Sequence, residues 1–269
     1  MPPVRAWPRS EPCRLYAGYI RSVVQEAWDR LFDELYLRTY AARIGDERTE
    51  REALGAVALA GARAGADVLD AACGYGRHAL VLAHEGYRVT GIDRSPVLLA
   101  EAQRRSGDAE WPRWVRGDLR EPLPFAHAEF DAVLTLFSSF VGYYAEADDV
   151  RFLGEARRVL RPGGALVLET MSRDRLMSGF RPRDWEHVPD GVLVEERTFD
   201  PVDGVVETLH ELWPAGGGSE SLRYRLRVYT ATELRGLARR AGFEALAFYD
   251  SLEGGEPGPA SRIVLVARA

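Results

Sequence analysis

The sequence predicts a doubly wound α/β domain on a parallel sheet, with helical segments before it and an antiparallel β unit inserted near its end. Three observations predict this. From Asp67 onward, short apolar runs alternate with helical patterns. Those runs are nearly continuous rather than alternating, as in strands buried on both faces. Beyond residue 190 the pattern switches to period two, the mark of strands with one wet face.

The elements follow in order. In "YIRSVVQEAWDRLFDELY" the residues Ile20, Val23, Val24, Ala27, Leu31 and Leu35 recur at helical spacing. Glu47 to Ala60 repeats the pattern more weakly, so residues 1–65 read as an N-terminal helical cap. The core opens with the strand "DVLDAA", a helix over Arg77–His84 and the strand "YRVTGID". Ser95 and Pro96 suit the cap and first turn of the next helix. The strands "RWVRGD" and "FDAVLTLF" come next, then a helix from Asp148 to Leu160 stopped by Pro162-Gly163-Gly164, then the strand "ALVLET". This core spans 66–172.

Residues 173–229 form the inserted lid. Its strands "GVLVEERTFD", "VVETLHELW" and "LRYRLRVYT" are separated by "PVDG" and "PAGGGSE", giving a three-stranded antiparallel unit. Residues 230–269 complete the core. Thr230 and Glu233 make a capping-box pattern, Gly242 ends that helix, and two strands close the sheet as a hairpin. The core sheet is expected to have seven strands.

Composition narrows the chemistry. The formal net charge is -6, which argues against a sequence-independent grip on nucleic acid. No apolar run approaches the roughly 20 residues of a membrane helix, and "MPPVRAWPRSEP" lacks a signal-peptide core. A cytoplasmic protein is expected. All 35 basic residues are arginine, which excludes a lysine Schiff base and the usual phosphate-binding P-loop. Cys13 and Cys73 form no paired framework or metal-ligand cluster. No metal site is expected, and Cys73 reads as a small buried residue.

In an open α/β sheet, ligands bind beyond the carboxyl ends of the strands. Three acids mark those ends: Asp70, Asp93 and Asp118. Gly74 and Gly76 let the backbone approach a ligand closely. An acid ending the second strand suits two ribose hydroxyls. Gly74-x-Gly76-x-x-Ala79 also fits a dinucleotide fingerprint, but Asp70 would repel a pyrophosphate and instead suits a cationic or amine-bearing ligand.

Taken in order, "VLDAACGYGR", "GIDRS", "GDLRE", "FDAVLTLFSSF" and "ARRVLRPGGALVLE" resemble the motifs of the class I S-adenosylmethionine-dependent methyltransferases. The resemblance runs from about Asp67 to Ala269, with Ala72 standing where glycine is commonest. It implies a Rossmann-like sheet and S-adenosylmethionine as cofactor. It places Asp70 and Gly74 near the methionine end, Asp93 at the ribose, Asp118 and Leu119 at the adenine, and Phe137 under the sulfonium, with Ala72, Gly76 and Arg94 also among the cofactor-binding residues. In "FDELYLRTY" it offers Tyr36, Arg38 and Tyr40 as a cover, with Arg38 able to meet the cofactor's carboxylate.

An activated methyl donor needs an aligned acceptor, and a base only if the acceptor must lose a proton. His187 in "DWEHVPDG", read as a loop over the cleft, and Tyr143 are the catalytic candidates, with Tyr144 beside them. His210 reads as solvent-facing and His78 as a helix-surface residue. Arg223, Arg225 and Arg227 share one strand face, where pairing with Glu195, Glu207 or Glu211 competes with an anionic acceptor. The expected activity is methyl transfer to oxygen or nitrogen of a small-molecule acceptor, with no nucleic-acid partner and a homodimer through the lid open. A nicotinamide-dependent oxidoreductase and a non-catalytic cofactor-binding module stand as alternatives.

Overall fold

A computed structural model describes residues 27–269. Ile20, Val23, Val24 and Cys13 lie outside the described residues. Short helical turns at Leu31–Leu35 and Tyr36–Thr39 lead in, with Phe32 and Asp33 departing from helical geometry. Helix α1 (Asp46–Ala60) ends at Gly61, which takes the left-handed conformation at φ 76°.

The main sheet has the order β10-β11-β5-β4-β1-β2-β3. Strands β1 (Asp67–Ala71), β2 (Arg88–Asp93), β3 (Arg113–Arg116), β4 (Phe130–Thr135) and β5 (Leu160–Thr170) run parallel. Strands β10 (Ala245–Tyr249) and β11 (Ile263–Arg268) pair antiparallel, as does β11 with β5. The seven strands and the closing hairpin are as the sequence predicts. One boundary differs: Pro162-Gly163-Gly164 lies inside β5, and the pairing of β4 with β5 shifts register between Phe130 and Ala132 to accommodate it.

Helices cover both faces because the strands are apolar on both. On one face Val68, Val89, Leu134 and Val167 pack on Ala53 and Val57 of α1 and on Leu82 of α2 (Arg77–His84). On the other, Leu69, Val133, Leu166 and Leu265 meet α4 (Glu146–Val159) and α6 (Ala231–Arg240) through Phe152, Leu153, Leu234 and Leu237. Helix α3 (Pro96–Ser106) starts as expected, with Ser95 Oγ accepting the Leu98 N–H at 3.2 Å.

After the short helix α5 (Arg173–Ser178), the inserted sheet has four strands rather than three, in the order β6-β7-β8-β9. These are β6 (Arg183–Val188), β7 (Gly191–Asp200), β8 (Val205–Pro214) and β9 (Glu220–Arg227). The extra strand is "RDWEHV", whose mixed polarity hides the period-two signal because it is an edge with little to bury. The inner face, with Leu193, Leu212 and Leu222, packs on Trp28, Leu31 and Leu35 of the N-terminal turns. His210 also faces inward and is fully buried, not solvent-facing. Strict alternation along β8 puts it in phase with Val206, Thr208 and Leu212.

Candidate active site

The carboxyl ends of β1 and β2, with the segments following β3 and β4, converge on one cleft. Of the residues the sequence singles out, Tyr36, Asp70, Ala72, Gly74, Asp93, Arg94, Asp118, Leu119, Phe137 and Tyr143 all line it. Gly76, Arg38 and His187 do not.

The floor is built by the turn out of β1. Ala72, Gly74 and Gly76 all take positive φ, at 60°, 56° and 76°. That geometry lets a strand turn into α2 while keeping peptide groups beside the cleft. Gly76 serves packing rather than ligand approach: a Cβ there would sit 2.2 Å from the Trp114 ring.

The three acids sit in different surroundings. Asp70 is buried, and its Oδ2 has no hydrogen-bond partner. Burial pushes its carboxyl up to about 7, with Asp93 adding to the rise and Arg77 opposing it. Asp93 is also buried, but Oδ2 accepts the Gly74 N–H and Oδ1 the Ser95 N–H, each at 2.8 Å. Burial raises its pKa, against the pull of those N–H groups. Asp118 is engaged by Arg120 at 2.5 Å, and this outweighs burial and holds it below the usual range.

The roof is aromatic. Tyr36 tilts over Tyr75 with ring centroids 6.3 Å apart, and Phe32 lies 5.6 Å from Tyr36. Tyr143 stacks on Trp28 at 4.4 Å, and the Trp28 indole N–H donates to the Tyr143 carbonyl at 3.0 Å. Burial holds the hydroxyls of Tyr36 and Tyr143 protonated well above their usual range. Arg94 donates to the Tyr144 hydroxyl and pairs with Asp29.

Three expectations need correction. Arg38 does not reach the cleft; its guanidinium binds Asp190 at 2.5 Å and Glu220 at 2.9 Å, tying the N-terminal turns to the lid. His187 is not in a loop but on β6, opposite Val192, exposed and edge-on to the Trp185 ring at 5.5 Å. Pairing with β7 fixes it on the outer side of the lid. His78 is not on a helix surface. It is buried and lines the cleft, and its Nε2 lies 3.1 Å from Glu52. Desolvation lowers its pKa.

Arg77, its neighbour, pairs with Glu52 at 2.5 Å and was not anticipated as a cleft residue. Phe32 and Phe140 were also missed. The available signal for Arg77 and His78 was their place in the first turn after Gly76. Among the lid arginines, Arg223 and Arg225 pair across strands with Glu207, at 2.7 and 3.9 Å, and Arg227 pairs with Glu233.

Residues 68–164, from β1 into β5, match the methyltransferase domain family. Over that segment, about a third of the chain, it resembles the class I S-adenosylmethionine-dependent methyltransferases. S-adenosylmethionine is the cofactor of this class. The chain is similar to the CcbJ methyltransferase of Streptomyces caelestis, with 25% identity and a TM-score of 0.73 over 86% of this chain and 94% of that one. It shares its fold with CalS10, an amino pentose methyltransferase of Micromonospora echinaspora, at TM-score 0.60 and 23% identity over 97% and 99% of the two chains. It is 33% identical over 163 residues to a glycine/sarcosine N-methyltransferase of Parasynechococcus marenigrum (strain WH8102). That alignment takes in 57% of this chain and about half (51%) of the relative's length. No helix among the described residues is long and apolar enough to cross a membrane.

Proposed function

We propose that this methyltransferase methylates an amine nitrogen of a small-molecule acceptor. The observation that carries the reading is the cleft itself: a buried carboxylate oxygen without a partner, on Asp70, under a roof of tyrosine and phenylalanine rings. A buried carboxylate oxygen left without a partner is costly and favours a positively charged ligand group. Aromatic faces favour alkylammonium groups. The similarity to the glycine/sarcosine N-methyltransferase supports nitrogen as the accepting atom.

The residues present fit the cofactor. Asp70 would meet its positively charged methionine end, Ala72 and Gly74 would bring backbone close, and Asp93 would accept from both ribose hydroxyls. Asp93 suits that task because Gly74 and Ser95 fix both of its oxygens. Arg94 would close the ribose side, and Asp118 and Leu119 would bound the adenine. When bound, S-adenosylmethionine supplies a methyl group on a positively charged sulfur, which departs with the C–S electron pair.

The protein's part is alignment and exclusion of water. The ammonium recognised by the rings must release one proton to solvent before attack, because the accepting nitrogen needs its lone pair. Tyr143 and Tyr36, held protonated, orient that amine as neutral hydroxyls rather than as bases. We place no chemistry on His187.

A second copy of the chain is proposed to pack on the outer lid face. Trp185 and Trp213 are 64% and 50% exposed there. Arg183, Arg223 and Arg225 share that face with Glu196, Glu207 and Glu211, so it is complementary to itself under a two-fold axis. Sedimentation of Trp185→Ser/Trp213→Ser tests it: a dimer that becomes monomeric supports the contact, and an unchanged sedimentation coefficient removes it.

Isothermal titration with S-adenosylhomocysteine, with NADH alongside, tests the cofactor. Binding of the first alone is expected; binding of NADH alone would restore the oxidoreductase. Turnover on a panel of free amines, sarcosine and amino sugars among them, tests the acceptor. Cofactor binding with no turnover on amines, and turnover on phenols instead, would overturn the choice of nitrogen.

A further inference from the structure

Just beyond β4, three residues other than glycine take left-handed backbone within four positions: Phe137 (φ 64°), Ser138 (φ 57°) and Phe140 (φ 64°). Cβ crowding disfavours that region, and phenylalanine has no side-chain hydrogen bond to offset it. Such a conformation persists only where neighbours over-determine it.

The neighbours that do so sit behind the cleft. Glu169, near the end of β5 and only 5% exposed, accepts the Phe137 N–H through Oε2 at 2.6 Å. Its backbone carbonyl accepts the Ser138 N–H at 3.0 Å. Arg262, just before β11, pairs with Glu169 Oε1 and donates to Ser138 Oγ at 2.8 Å. Ser138 Oγ also accepts the Met171 N–H at 2.9 Å. The Phe137 ring, which lines the cleft, has the guanidiniums of Arg77 and Arg48 at 5.0 and 5.2 Å from its centre.

We infer that Glu169 and Arg262 are a positioning pair that holds the Phe137–Phe140 segment in its left-handed form and so sets the wall of the cofactor cleft. Neither residue lines the cleft itself; both act through Phe137 and Ser138. The inference rests on the cleft being the cofactor site.

Three variants test it, Glu169→Ala, Glu169→Gln and Arg262→Gln, each read by S-adenosylhomocysteine titration and by amide hydrogen exchange resolved over residues 136–141. Losing a hydrogen bond to a charged group corresponds to roughly a 10- to 100-fold change. Glu169→Ala is expected to raise Kd by about that factor and to speed exchange at Phe137 and Ser138 selectively. Glu169→Gln keeps an oxygen for the Phe137 N–H and is expected to recover most of both. Arg262→Gln is expected to fall between them. It carries the test alone where Glu169→Ala does not fold. Wild-type exchange and wild-type Kd in Glu169→Ala and Arg262→Gln would overturn the inference. So would equal losses in Glu169→Ala and Glu169→Gln, because the hydrogen bond would then not be the agent. If wild-type protein bound no S-adenosylhomocysteine, the cofactor reading would fail while the exchange data still reported on the pair.

Discussion

Asp70 and Asp93 are both buried carboxylates at the ends of neighbouring strands, and their surroundings divide their tasks. Asp93 has two backbone N–H groups and is fixed; Asp70 has an oxygen with none. Asp93→Ala strands both N–H groups and removes the proposed ribose acceptor. It is expected to raise the S-adenosylhomocysteine Kd by about 100-fold or more in titration, with Asp93→Asn milder. Asp70 gives a pH signature. Its carboxyl, near 3.8 when unfolded, is raised to about 7 in the ligand-free fold. Between those values the native state holds more protons than the unfolded one, so this group lowers stability as pH rises through the window. Asp149, raised to about 7 by burial, adds the same trend, so the mutant comparison is needed. Asp70→Asn should therefore raise the Tm of ligand-free protein at pH 8 and change it little at pH 4. A cationic ligand prefers the ionised carboxylate, so S-adenosylmethionine affinity should rise from pH 6 to pH 8 in wild type and stay flatter in Asp70→Asn. Titration in buffers of different ionisation heat would detect the released proton.

At the scale of elements, local signals were legible where one residue's chemistry decides the outcome. Ser95 caps α3, and Thr230 and Glu233 form the reciprocal capping box of α6. Thr230→Ala should cost about 1 kcal/mol in chemical denaturation, an effect of lost cap bonds alone. The acids ending β1 and β2 and the glycine at 74 were legible for the same reason: a strand end in an α/β sheet has one destination. What the sequence hid depends on partners distant in the chain. His78 looks like a helix-surface residue until α1 brings Glu52 against it. Arg38 looks suited to a ligand carboxylate until the lid supplies Asp190 and Glu220. The left-handed run at Phe137 leaves no trace in "LFSSF", since its cause is Glu169, thirty-two residues on. The edge strand β6 was invisible because an edge has no fixed polarity to display.

At the scale of the molecule, the lid and the doubly wound core meet through the N-terminal turns. Trp28 touches Tyr143 of the core and Tyr224 of the lid, and Tyr40 donates to Glu195 of the lid at 3.2 Å. Arg43 pairs with Glu186, on the lid's edge strand. A ligand binding beneath these turns and not to the unfolded chain should raise Tm by mass action, which thermal melts across S-adenosylhomocysteine concentrations would show. Because Phe32 and Tyr36 roof the strand-end floor while the same turns bear the lid, the floor is the deeper seat. The timetable of catalysis follows from that depth. On the proposed reaction, the nucleoside should enter first, the amine follow, the methylated amine depart, and the spent nucleoside leave last. Steady-state product inhibition would read this out: S-adenosylhomocysteine should compete with S-adenosylmethionine and inhibit noncompetitively against the amine.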